Sequence, residues 1–158
     1  MGDLTRYVFR SVWDLEASFE DVFAVLWDFE SYPRWWPEVR EVRRLDAGRF
    51  ETLCRSVLPY DLEFVTELAG GGREAGTIEA RLSGDLDGFS RWSLTRGDDH
   101  ATRAVYDQEV VTHKRLLNAL APLARPAFKA NHAIMMRHGR SGLRTYLAGY
   151  RRGRAALP

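Results

Sequence analysis

The sequence predicts an α+β domain in which a curved, seven-stranded antiparallel sheet wraps a long C-terminal helix, with two short helices after the first strand. Three observations carry this reading. Seven segments alternate apolar and polar residues with a period of two. Six of them follow one another through links too short for a crossover, so neighbours must run antiparallel. From Leu116 onward the period becomes helical and stays so, which leaves one long element to cover the apolar face of the sheet.

The first strand spans Tyr7 to Leu15, where Tyr7, Phe9, Ser11, Trp13 and Leu15 share one face and Arg10 and Asp14 the other. Ser18 then stands three residues ahead of Asp21, and Phe19, Val22, Phe23, Leu26 and Trp27 recur at helical spacing behind it. That is a short helix with a serine N-cap. Ser31-Tyr32-Pro33-Arg34-Trp35-Trp36-Pro37 follows, with three aromatic rings and two prolines, and reads as a corner between helix and sheet.

The six remaining strands are expected at about 38–46, 50–58, 60–68, 75–83, 89–96 and 101–112. Ala47-Gly48, Pro59, Gly70-Gly71-Gly72, Asp85 to Gly88 and Gly97-Asp98-Asp99 separate them with turn chemistry. In the final helix Pro122 and Pro126 interrupt the start, after which Phe128, His132, Met135, Gly139, Leu143 and Tyr146 form an apolar stripe.

At 158 residues and 45% apolar content the chain fits one domain over residues 1–150, followed by a basic tail over 151–158. Twenty-three basic residues against 22 acidic ones argue against a nucleic-acid surface spread over the whole domain. Arg151, Arg152 and Arg154 read as a solvated terminus, with an acidic partner or membrane surface as the alternative. Cys54 is the only cysteine, which excludes an intrachain disulfide and fits a reducing compartment. No apolar run is long enough for a membrane span and the N-terminus lacks a signal-peptide core, so a cytoplasmic protein without integral membrane association is expected.

Tyr32-Pro33-Arg34-Trp35-Trp36-Pro37, Trp92 in a late strand, and Asn131-His132 through Met135 to Gly142-Leu143 in the last helix, in this element order, are similar to the polyketide cyclase/dehydrase and START-like lipid-transfer superfamily (SRPBCC). The resemblance covers almost the whole chain. It implies the helix-grip fold and a hydrophobic or polycyclic small molecule held between sheet and helix. In some members it also implies cyclisation or dehydration of polyketides. Three functions stay open on it: a binding or carrier protein, a polyketide aromatase/cyclase or dehydrase, and a protein-interaction module, as monomer or homodimer.

Alternation then selects the side chains that face such a cavity: Ser11 and Trp13 from the first strand, Thr52, Cys54 and Ser56 from the third, and Leu62, Phe64 and Thr66 from the fourth. Ile78, Ala80, Trp92 and Leu94 follow, then Tyr106, Gln108 and Val110, with Asn131 and Met135 on the helix. A buried hydroxyl or amide without a partner costs about 1 to 3 kcal/mol, so this polar inventory needs partners. A ligand would supply them, or Thr52, Ser56 and Gln108 bond to one another or to backbone. Trp35 and Trp36 form either a lid at the cavity mouth or a packed core edge.

For a cyclase, His132 is the candidate general acid/base, with Tyr106 or Arg55 polarising a ketone oxygen. The alternative for His132 is a plain hydrogen-bonding role, and Arg55 alternates out of phase with Cys54. No cofactor and no metal are expected: His100, His113, His132 and His138 fall in different elements or on opposing helix faces. Gly139-Arg140-Ser141-Gly142 lies within the last helix, where a nucleophile elbow does not occur, and its glycines suit close approach of helix to sheet, or a kink. Cys54, buried in mid-strand, reads as an inert thiol.

Overall fold

The computed structural model describes residues 5–55, 58, 60–113, 115–119 and 121–156. Strand β1 (Arg6–Leu15) turns Tyr7, Trp13 and Leu15 into the core, while Val8 and Val12 on its other face stay exposed. Helix α1 (Phe19–Trp27) starts where the Asp21 amide donates to Ser18 Oγ at 3.2 Å, the expected cap. It buries Phe19, Val22, Phe23, Val25 and Leu26. The second short helix is a 3₁₀ turn over Phe29–Arg34 that contains Pro33. The Tyr32 hydroxyl ties it back by donating to the Leu26 carbonyl at 2.8 Å.

Six strands complete the sheet: β2 (Val39–Arg44), β3 (Arg49–Arg55), β4 (Asp61–Gly72), β5 (Thr77–Gly84), β6 (Leu86–Arg96) and β7 (Thr102–Thr112). Their order is β1-β7-β6-β5-β4-β3-β2, with every neighbouring pair antiparallel. The first strand therefore lies beside the last, with Ser11 opposite Tyr106 and Trp13 opposite Ala104. Helices α2 (Arg115–Ala119) and α3 (Ala121–Ala155) follow, and α3 lays Phe128, Met136, Leu143 and Leu147 onto the concave side of the sheet. This is the helix-grip architecture that the sequence predicts.

Three boundaries differ from expectation. Gly70 to Gly72, read as a turn, extends β4, because Thr77 to Glu79 of β5 supply ladder partners beyond a bulge at Leu68/Gly70. Asp85 to Gly88, also read as a turn, lies largely inside β6. A Cβ at Gly88 would run into the Glu109 carbonyl of β7, so glycine there serves close strand approach, at φ +154°. At the C-terminal end, α3 runs on through Arg151 to Ala155, past the expected start of a tail, and Arg154 pairs with the buried Asp21 of α1. Among the described residues no helix is long and apolar enough to cross a membrane.

Candidate functional site

Because β-strands alternate, the concave face collects one side chain in two from each strand, and α3 closes over them. A cavity of about 120 Å³ remains between the two layers. Thr52 and Cys54 of β3, Phe64 and Thr66 of β4, and Ile78 and Ala80 of β5 form one wall. Ser90 and Trp92 of β6 with Tyr106 and Gln108 of β7 form the next. Asn131, His132, Met135 and Met136 of α3 form the roof, while Trp36 and Tyr32 of the aromatic corner close one end.

The polar groups divide into paired and unpaired. Thr52 and Thr66 hydroxyls lie 3.4 Å apart, so one donates to the other. His132 Nε2 sits 3.1 Å from Gln108 Oε1, and an amide oxygen only accepts, so Nε2 carries the proton and Nδ1 is left as an acceptor. The imidazole also stacks on Phe9, with centroids 3.7 Å apart and planes 7° from parallel. Asn131 is only 6% exposed. Its amide nitrogen donates to Met135 Sδ at 3.6 Å, and its Oδ1 has no partner among the described residues.

Burial sets the electrostatics. It lowers the His132 pKa to about 4, which keeps the ring neutral near pH 7. It raises the Tyr106 and Tyr32 phenols well above their usual range; a Ser90 hydrogen bond partly offsets this for Tyr106. Burial, with the Glu38 carboxylate as a smaller cause, pushes the Cys54 thiol up to about 12, so it stays protonated.

The His132 shift has a measurable sign. Its folded pKa lies below the unfolded value of 6.5, so the unfolded chain binds the proton more readily. Stability from this group is complete above pH 6.5 and is lost as pH falls towards 4. The expected loss is about 2 to 3 kcal/mol, at roughly 1.4 kcal/mol per pKa unit. Urea melts of the parent and His132→Gln at pH 7 and pH 4.5 check it. The parent should lose more than the variant, and equal losses would contradict the burial.

The cavity thus brings together Trp36, Thr52, Cys54, Phe64, Trp92, Tyr106, Gln108, Asn131, His132 and Met135 of the expected residues. Others are displaced. Arg55 points to solvent and is bridged to Asp61 at 2.5 Å, since the alternation that turns Cys54 inward turns its neighbour out; it has no access to a cavity substrate. Trp13 is buried behind the wall, edge-on to Trp36 and Trp92 at 5.7 and 4.8 Å. Leu94 is buried away from the void, and Ser11, beside Tyr106 in the sheet, does not reach it. Ser56 lies outside the described residues.

The double tryptophan is not an exposed lid. Trp35 and Trp36 are 3% and 7% exposed and stack on each other at 5.3 Å. Trp36 lines the cavity and donates from Nε1 to the Met135 carbonyl at 2.9 Å, whereas Trp35 lies behind it. The two helix glycines explain the fit. A Cβ at Gly139 would stand 2.6 Å from Trp36 Cε2, and one at Gly142 would overlap the Trp35 carbonyl oxygen. The close approach that these glycines permit is therefore to the aromatic corner, not to the sheet as expected.

Phe9, Phe128, Ser90 and Met136 also line the cavity and were not among the expected residues. Phe9 and Ser90 are in phase with Trp13 and Trp92, so alternation alone places them on this face. Phe128 belongs to the helix stripe, which carries no sign of a cavity, and Met136 falls off that stripe. Among the described residues no group of three metal-binding side chains converges.

Comparison with known proteins agrees with this geometry. The family described as polyketide cyclase / dehydrase and lipid transport matches residues 15–133. No curated protein matches the chain. Among solved structures, a START superfamily protein from Mycobacterium smegmatis superposes with a TM-score of 0.71 at 18% identity, over 90% of this chain and 98% of its own. The Zhui aromatase/cyclase from a Streptomyces species gives 0.75 at 14% identity, over 90% and 94%. A conserved protein from Geobacillus kaustophilus gives 0.74 at 10%, over 90% and 96%. At such identities the likeness is one of fold.

Proposed function

The chain belongs to the polyketide cyclase / dehydrase and lipid transport family, and from that premise we propose that it binds a small, ring-containing apolar molecule in the cavity under α3. The observation that carries this reading is Asn131, a cavity-lining residue whose buried Oδ1 has no partner among the described residues, whereas the Thr52–Thr66 and His132–Gln108 polar groups of the same cavity are paired with one another. A buried acceptor without a partner is unfavourable by about 1 to 3 kcal/mol, and a ligand hydroxyl or N–H relieves it. Binding then consists of desolvation of the ring among Phe64, Trp92 and Met135, with orientation by Asn131.

At about 120 Å³ the void is small for a ligand pocket. Ligand pockets run to about 300 to 1,000 Å³, but an apolar cavity of about 150 Å³ takes one benzene. The void is slightly smaller than that, so a single ring is the occupant nearest to it in size. Larger ring systems require Met135 and Met136, unbranched and adaptable, to swing aside.

The test is native mass spectrometry of the purified protein followed by titration with phenol and toluene. Phenol should bind about tenfold tighter, the worth of one hydrogen bond, and Asn131→Leu should remove the preference. Absence of binding by every apolar probe, lipids and polyaromatics included, would end the proposal.

A second reading, an aromatase, cyclase or dehydrase, is favoured by one observation: His132 and Tyr106 line the same cavity. Tyr106 would donate to a ketone oxygen and His132 Nδ1 would accept a proton. Against it stands the low basicity of His132, because a general base works best with a pKa near the operating pH. Conversion of a poly-ketone to a cyclised product, lost in His132→Gln, would establish it.

A further inference from the structure

Charge is distributed very unevenly over this fold. Helix α3 carries eight basic residues and no acidic one in Ala121–Ala155, which leaves the rest of the chain with fifteen basic against all 22 acidic residues. Nine arginines of the strands are bridged to carboxylates, Arg10–Asp107, Arg91–Glu79 and Arg103–Asp14 among them. On α3, by contrast, Lys129, Arg137, Arg140, Arg144 and Arg151 have no ion pair among the described residues. At 3.6 residues per turn these five fall within a sector of about 80°, forming a stripe about 33 Å long on one flank of the helix.

One feature marks where this flank would take an anion. Arg144 and Arg151 stand over a cleft of about 250 Å³ between α3 and the end of β1. Its floor is Leu15, Ala17, Leu147 and Ala148, and Glu16 is the one carboxylate on its wall among the described residues. Guanidinium groups above an apolar floor suit a group that is anionic at one end and hydrocarbon at the other.

We propose that the basic flank of α3 is a docking surface for an anionic phospholipid bilayer, with a headgroup phosphate between Arg144 and Arg151 and its glycerol and acyl carbons on Leu147 and Ala148. A single-sign stripe of this length matches a planar field of phosphates, to which each basic side chain adds attraction. The inference stands apart from the cavity reading, because it uses none of the cavity residues.

Co-sedimentation with vesicles tests it, using phosphatidylcholine alone and phosphatidylcholine mixed with phosphatidylglycerol. The protein should bind the mixed vesicles and not the neutral ones, with binding falling as salt rises. The triple variant Lys129→Gln/Arg137→Gln/Arg151→Gln should lose about 100-fold in partitioning to the mixed vesicles. Arg144 is kept, since its guanidinium holds the Asp14 carbonyl at 2.9 Å. A control with the same change in net charge, Arg43→Gln/Arg55→Gln/Arg91→Gln, should bind like the parent, and thermal melts should show both variants folded.

Binding to neither vesicle, equal binding to both, equal loss in the two variants, or binding to polyglutamate but not to lipid would each overturn the proposal. Asn131→Leu should leave vesicle binding unchanged, so that failure at the cavity and failure at this surface are read separately.

Discussion

Replacing Trp36 with alanine is expected to destabilise the protein by about 4 kcal/mol, within the range for deleting a buried tryptophan, and to lower the melting temperature by roughly 12 °C. The ring is 7% exposed, stacks on Trp35, meets Trp13 edge-on and bonds the Met135 carbonyl. Trp36→Phe, which keeps a ring and loses only the indole N–H, should cost about 1 kcal/mol. A hinged lid would behave otherwise, with binding weakened and stability nearly unchanged. Thermal melts of Trp36→Ala and Trp35→Ala alongside ring-probe titration separate the two. Both variants should melt early, and only Trp36→Ala, which removes cavity wall, should alter which probes bind. A Trp36→Ala melt within 2 °C or so of the parent would show that the corner is not core.

Gly142→Ala is expected to cost about 3 kcal/mol or more, although alanine is the better helix former by about 1 kcal/mol. A methyl group there overlaps the Trp35 backbone oxygen, and backbone cannot turn away as a side chain can. The control lies on the same helix. A Cβ at Gly149 would meet nothing within 4 Å among the described residues, so Gly149→Ala should stabilise by up to about 1 kcal/mol. Opposite signs for one substitution at two sites on one helix, measured by urea denaturation, would establish that packing against the corner decides. If Gly142→Ala were neutral or stabilising, the docking of Trp35 on α3 would be wrong.

These two results concern the part of the structure least legible from residues alone. Period-two alternation in β3 to β7 marked Thr52, Cys54, Phe64, Trp92, Tyr106 and Gln108 as facing one side, and all of them line the cavity. The same rule applied to β1 selected Ser11 and Trp13, which share that side of the sheet but not the void. Alternation reports the face of a strand and carries no information about which stretch of that face stays uncovered. Arg55 shows the rule used correctly and its chemistry overvalued: being out of phase, it ended in a surface bridge with Asp61.

The stripe on α3 is a case of another kind. Its charges are plain in the sequence, but the even total of 23 against 22 conceals them. Only the paired carboxylates show that the strand arginines are neutralised locally while Lys129, Arg137, Arg140, Arg144 and Arg151 of the helix have no ion pair among the described residues.

By itself, then, the sequence determined what short-range rules can encode: the strand period, the serine cap of α1, the late change to a helical period, and hence the helix-grip order of elements. It also carried the Ser31 to Pro37 corner as a cluster of rings needing cover. Tertiary structure alone decided what covers it. Setting β1 beside β7 brings Phe9 under His132, residues 123 positions apart, and docking α3 seats Trp36 on Gly139 and Trp35 on Gly142. Such contacts join segments about a hundred residues apart. Local propensity and periodicity decay within a few residues, whereas the position of a void or a close contact depends on how all the layers pack at once.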